Sequence, residues 1–259
     1  MLTKDIAICM RAVDYSETSQ IVTFFTRTNG KVGAIAKGSK RPKSAFDGPI
    51  EMLSFGRIVF SDSTKEKLAT LTEFEQRPRF VHLSRSLFAL DCGLFAAELV
   101  NRLTDDYDPH PGLFDSFLEF LQHANEHRAS SIEHRELLSL LILFQLTLLE
   151  EIGLQPVWSH CVNCKTRAPA TAGAGLSRRK RACEVYFSSS ASGLICRDCE
   201  ASFPDRIGLT REASACLADV KRISKSEEMT LQEIEKVLVS YFTELLGRPP
   251  RMAKHILPH

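Results

Sequence analysis

The stretch Ile21-Val22-Thr23-Phe24-Phe25-Thr26-Arg27-Thr28-Asn29-Gly30-Lys31-Val32-Gly33-Ala34-Ile35-Ala36 holds two runs of β-type residues on either side of Thr28-Asn29-Gly30. Asn-Gly accepts the positive φ angles of a tight turn, so the segment predicts a β-hairpin. Working outward, Ile6, Ile8, Met10 and Ala12 alternate with Ala7, Cys9, Arg11 and Val13, and further β-type runs follow at residues 51–60 and 68–74. Five short strands with little helical periodicity suit a closed Greek-key barrel.

The predicted fold is therefore α+β and multidomain, opening with a five-stranded OB-type β-barrel at residues 1–79; an SH3-like barrel would leave much the same string. The barrel segment carries no acidic residue between Glu17 and Asp47, while Arg27, Lys31, Lys37, Lys40, Arg41 and Lys43 all fall there. Residues 37–44, Lys-Gly-Ser-Lys-Arg-Pro-Lys-Ser, have the composition of a mobile loop that lays cations and backbone N–H groups along phosphates. These six cations are the candidate nucleic-acid contacts. Phe24, Phe25 and Phe46 lie close in sequence as candidate base-stacking rings, although alternating strands favour the core for Phe24 and Phe25. The chain contains no G-x-x-x-x-G-K-[ST] motif, which argues against nucleotide hydrolysis.

Charge is segregated along the chain. Residues 1–80 carry 13 basic against 9 acidic side chains, residues 81–160 carry 4 against 12, and residues 161–259 carry 16 against 11. A basic front and back around an acidic middle suggest faces that meet different partners; the plainer reading of the middle is the solvated side of a helical bundle. The most apolar stretch, residues 137–149, is too short for a bilayer span, and residues 1–14 contain Asp5 and Arg11 without a signal-peptide core. A cytoplasmic protein with no membrane contact is expected.

Four of the eight cysteines form two pairs, Cys161-Val-Asn-Cys164 and Cys196-Arg-Asp-Cys199, 31 residues apart. A two-residue spacer lets both thiolates of a knuckle face one point, and two knuckles joined by a hairpin close a tetrahedron around Zn²⁺. Four sulfurs leave no position for a reactive water, so the expected cofactor is one structural zinc. A redox dithiol gains nothing from a second pair, and a disulfide framework conflicts with a reducing compartment. The hairpin is expected at 184–195, with residues 168–182 as an excursion and Arg178-Arg179-Lys180-Arg181 as a further basic cluster. Cys9, Cys92, Cys183 and Cys216 read as incidental or buried thiols.

The remainder is helical by period. Leu83, Leu87, Leu90, Leu94 and Ala97 share a face; a helix is expected at 113–124, and Ser130 with Glu133 opens a long central one. Thr210 starts another, running through Val220, and Thr230 with Glu233 is read as the capping box of a last helix at 231–246. The domain expectation is an all-α helical domain in two parts, 80–157 and 205–259, interrupted by a four-cysteine zinc ribbon at 158–204, with Arg248, Arg251 and Lys254 in a basic tail. No acid–base or nucleophile constellation emerges, and no enzyme is expected.

The barrel segment with residues 24–31 and 36–44, the inserted C-x-x-C pairs, Gly153-Leu154-Gln155-Pro156 and Leu246-Gly247-Arg248 together resemble the bacterial RecO family of DNA repair proteins. The 168–182 excursion is long for that family. The resemblance implies a recombination mediator that binds single- and double-stranded DNA and anneals complementary strands. With RecR it would help load RecA onto DNA coated by single-strand-binding protein, whose tail the helical domain would hold. The alternative is a zinc-ribbon scaffold that binds proteins without touching DNA.

Overall fold

Strand β1 (Leu2–Asp14) is the seam of the N-terminal part of the chain. Its second half pairs antiparallel with β2 (Gln20–Thr26) and its first half with β4 (Phe55–Ser61). Strand β3 (Gly30–Ala36) runs antiparallel to β2 and parallel to β5 (Ala69–Arg77), which returns along β4. The order β1-β2-β3-β5-β4 closes into a barrel, which pairs the edges an open sheet would leave bare. This computed structural model describes residues 2–41, 44–46, 48–61, 68–77, 80, 82–126, 131–167 and 185–257. The chain divides into two compact units, Met1–Ala129 and Ser130–His259.

The barrel interior is filled by large and small residues in alternation: Phe24, Phe60 and Phe74 against Ala7, Ala34 and Ala69. Phe24 and Phe74 meet at 5.3 Å between ring centroids. The simple alternation expected of β1 fails at a bulge between Cys9 and Arg11, which shifts the phase so that Ala12 joins Ala7 and Cys9 on the inner face. Burial there pushes the Cys9 thiol up to about 12, leaving it a small apolar side chain. The fourth strand, expected from residue 51, begins only at Phe55. Leu53, at φ +64°, donates its N–H to the Cys9 carbonyl, and the Cys9 N–H donates to the Ser54 carbonyl, so residues 51–54 turn before β4 begins.

Outside the barrel, Ile8, Met10 and Phe25 are also buried. Their cover includes helices α1 (Leu87–Leu103) and α2 (Pro111–Glu126), with the Phe25 and Phe114 rings 5.9 Å apart. The helix expected from Leu83 is split. Leu83–Arg85 form a 3₁₀ turn, Ser86 is extended, and its hydroxyl caps α1 by accepting from the Ala89 N–H.

The second unit contains α3 (Ser131–Glu151), a three-stranded sheet of order β7-β6-β8 (Gly193–Cys196, Val185–Ser188, Ile207–Leu209), α4 (Arg211–Ala218), α5 (Glu228–Leu246) and α6 (Ala253–Ile256). Helix α4 stops at Ala218, short of the expected Val220, and a 3₁₀ turn Val220–Lys225 follows. Thr210 caps α4 as its sequence suggests, but the expected Thr230–Glu233 capping box does not form. Helix α5 starts three residues earlier, and the Glu233 carboxylate instead accepts from the Thr210 N–H (2.6 Å) and hydroxyl (2.8 Å). Tertiary pairing has overridden the local motif. Ser130, the other expected cap, lies outside the described residues. The sheet is locked to α5 by aromatic contact: Trp158 stacks on Phe187, and Phe187 meets Tyr241 edge-on.

Between α3 and α5, the Gln145 amide donates to both oxygens of Glu235, at 3.0 and 2.8 Å. Glu235 is fully buried, and desolvation pushes its pKa from 4.5 to about 8 against the pull of Gln145. The folded chain thus keeps a proton that the unfolded chain releases, so stability declines as pH rises between those values, by up to about 1.4 kcal/mol per pH unit. Thermal melts from pH 5 to pH 8 should show this decline. Glu235→Gln should flatten it and raise the melting temperature most at the alkaline end.

Candidate functional site

The cations that the sequence grouped together fall at two ends of the β2–β3 hairpin. Arg27 and Lys31 flank its turn, whereas Lys37, Lys40 and Arg41 follow the far end of β3. Five residues of strand, and so six steps, separate Lys31 from Lys37, about 20 Å at 3.3 Å per step. Lys43 lies outside the described residues, as do Cys183 and residues 178–181.

At the hairpin turn, the charges are engaged. Arg27 makes a two-pronged pair with Asp115 of α2, at 2.8 Å for each bond, and holds that carboxyl below its usual range. Lys31 is largely withdrawn from water: its side chain is 14% exposed, its ammonium donates to the carbonyls of Asn101 and Thr104, and Asp106 stands 3.4 Å away. The turn itself is held by Asp5, whose carboxylate accepts from the Thr28 N–H and hydroxyl and from the Asn29 amide. Gly30 has φ +67°, and a Cβ there would collide with the Asp108 backbone. Acidic residues of the middle segment therefore meet basic residues of the barrel within the same unit.

At the other end, residues 38–41 are held by hydrogen bonds to the barrel and to the β1–β2 turn. Buried Gln20 is the hub: its carbonyl accepts from the Ser39 hydroxyl (2.9 Å) and the Ile50 N–H (2.9 Å), and its amide donates to the Ile50 carbonyl (3.1 Å). The Gly38 N–H donates to Ser19 Oγ, the Lys40 N–H to the Thr18 carbonyl, and the Arg41 N–H to the Gly38 carbonyl. Gly38 takes the left-handed conformation this turn requires, φ +75°. With Ser39 buried, Lys37 and Arg41 point into solvent without a carboxylate partner among the described residues, and Lys40 pairs with Asp14 at 2.7 Å. Phe24, Phe25 and Phe46, the sequence's stacking candidates, are all buried.

The second site is the cysteine cluster. The sulfurs of Cys161, Cys164, Cys196 and Cys199 all lie within 4.8 Å of one another, and Cys164 and Cys196 approach to 3.5 Å. A tetrahedral four-sulfur shell with metal–sulfur bonds near 2.3 Å has edges of roughly 3.8 Å, so the four residues fit a metal ion. Burial pushes the Cys161 thiol up, but the N–H groups of Cys164, Cys196 and Asn163 outweigh it and lower its pKa. Thr166 brings Cys164 down to about 6, whereas desolvation and the neighbouring sulfurs push Cys196 up to about 12. Without a cation the cluster favours the thiolates of Cys161 and Cys164 and resists that of Cys196; a divalent ion removes that conflict. Lys165, at φ +62°, closes the first knuckle by donating its N–H to the Cys161 carbonyl.

Comparison with known proteins places the whole chain in one family. The family model for the N-terminal part of recombination protein O matches residues 1–78, and that for its C-terminal part matches residues 84–255. This chain belongs to the RecO family. It is 29% identical over 254 residues to the DNA repair protein RecO of Bacillus subtilis, covering 95% of this chain and 91% of the relative. It is 35% identical over 198 residues to that of Rhodopirellula baltica, covering 76% and 66%, respectively. It is thus a RecO-family DNA repair protein. No helix among the described residues is long and apolar enough to cross a membrane.

Two outcomes follow from this geometry. Gln20→Leu strands the Ser39 hydroxyl and both Ile50 backbone groups, and should cost roughly 2–4 kcal/mol in denaturant unfolding. Cys161→Ser should reduce bound metal, measured by mass spectrometry of the protein purified without chelator, from one ion per chain to a small fraction. It should also lower the melting temperature.

Proposed function

We propose that this RecO-family chain is a non-enzymatic recombination mediator that binds single- and double-stranded DNA through the loop at the far end of β3, with Lys37, Lys40, Arg41 and Lys43 as its phosphate contacts. The observation that carries this reading is the loop's construction: Lys37 and Arg41 stand clear of carboxylates among the described residues, on a backbone braced by Gln20 and Ser39. Braced cations bind phosphate with little ordering cost, and each contact releases condensed counterions. Arg27 exchanges Asp115 for a phosphate where the strand extends that far, and Lys31 contributes mainly through the field of its charge. The closed strand order with its single parallel pair, β3 with β5, supports the OB type for this barrel.

In this reading, loop cations offset the repulsion between two polyanions, which is what strand annealing requires. Family membership supports RecR and single-strand-binding protein as partners, RecA as the indirect beneficiary, and the bacterial cytoplasm as the location. The metal is zinc, one per chain, held by Cys161, Cys164, Cys196 and Cys199; it braces the β6–β7 hairpin, and four sulfurs leave it no open position for chemistry. The functional parts are the barrel of residues 1–79, the zinc module of 158–204 and the flanking helical segments.

The deciding experiment is binding of single-stranded and duplex DNA across a salt series. Affinity should fall with salt with a slope near −0.7 per phosphate contact on single strands. Lys37→Glu with Arg41→Glu should weaken all sequences alike and make the slope shallower by roughly 1.4. No DNA affinity at low salt, with capture of protein partners intact, would replace this reading with the zinc-ribbon scaffold.

A further inference from the structure

We propose that Tyr15 is a base-stacking residue for single-stranded nucleic acid, set beside the phosphate-binding loop so that one nucleotide is held by its backbone and by its ring face together. The inference deepens the DNA-binding reading of that loop and rests on it.

Tyr15 is 63% exposed. Its side chain makes no hydrogen bond or ring contact among the described residues. Single exposed apolar residues are common and need no function; the location of this one sets it apart. Tyr15 opens the β1–β2 turn by donating its N–H to the Ser19 carbonyl, and this turn is fastened directly to the cation loop. Lys40 donates its N–H to the Thr18 carbonyl, Gly38 donates to the Ser19 hydroxyl, and the Lys40 ammonium sits on the carboxylate of Asp14, the residue next to Tyr15. Two segments distant in sequence thus form one rigid platform, with Lys37 and Arg41 on one segment and a bare ring on the other. The stacking candidates nearer the loop in sequence, Phe24, Phe25 and Phe46, are all buried.

The chemistry follows from the ring. An aromatic face attracts every base through its π surface and so tolerates any sequence. Duplex bases are already stacked on one another and offer no free face. A base held by its face keeps its pairing edge open, so Tyr15 would secure a single strand in a form that a complement can still read.

The test uses the full chain with oligothymidylate and with duplex of the same length. Tyr15→Ala should weaken oligothymidylate binding roughly 5- to 100-fold, leave duplex binding unchanged and leave the salt slope unchanged. Tyr15→Phe should keep parental affinity. Tyr15→Trp should bind and show emission quenched by the oligonucleotide, a signal absent from the parent, whose single tryptophan, Trp158, is buried. Parental single-strand affinity in Tyr15→Ala, while the Lys37→Glu and Arg41→Glu pair loses binding, would overturn the stacking role and leave the loop's function standing. Equal loss on single strands and duplex would also overturn it. A parent chain that binds neither DNA at low salt would remove both readings.

Discussion

A polar side chain buried in a barrel wall must find its partners within the protein, because little water reaches it. Gln20 meets that requirement with Ser39 and both backbone groups of Ile50, and in doing so determines where the chain runs between β3 and β4. Ser39 is drawn inward, while Lys37 and Arg41, two residues to either side, are exposed. The placement of charge on this surface is thus a consequence of hydrogen bonding in the interior. Without that hub, the same residues would be a flexible basic tether with no fixed relation to the β1–β2 turn.

The two ends of the hairpin put identical residue types to opposite uses. At the turn, Lys31 and Arg27 are satisfied by carbonyls and carboxylates supplied by α1, α2 and the segment between them. Withdrawing an ammonium from water costs energy that only such partners repay. At the far end, the lone ion pair among the described residues is Lys40 with Asp14, and the cations around it face solvent. The cysteine cluster follows similar logic with the signs reversed: several sulfurs that cannot all ionise alone are made compatible by one cation.

Much of the fold was legible in the sequence, for identifiable reasons. The Asn29-Gly30 turn, the period-two runs and the C-x-x-C spacing are local signals, and the hairpin, the barrel strands and the sulfur cluster appear where those signals lie. What sequence could not supply was nonlocal. The bulge at Cys9–Arg11 has no residue signature and altered the face of Ala12, and the turn at Leu53 that delays β4 has none either. Glu233 reads as a cap for its own helix until Thr210 arrives from elsewhere. Within the candidate nucleic-acid site, counting lysines and arginines found the cations but not their carboxylate partners, since Asp115 and Asp106 are some 75–90 residues away along the chain. Tyr15 was missed because its neighbours in space lie more than twenty residues further on. A small hydroxyl such as Ser39 set between cations is the one clue worth seeking in advance.

The seam strand has a consequence for how the molecule comes into being. Strand β1 is made first, yet one of its two partners, β4, emerges some fifty residues later, and the ring is complete only once β5 joins β3 to β4. Until β4 is added, the first three strands are an open meander with both flanks exposed; β4 then covers β1, and the β3 flank stays open until β5 joins it. Such unguarded flanks invite pairing with another nascent chain. Closure is therefore a late, long-range event, and its timing sets the interval during which this protein is most prone to aggregate.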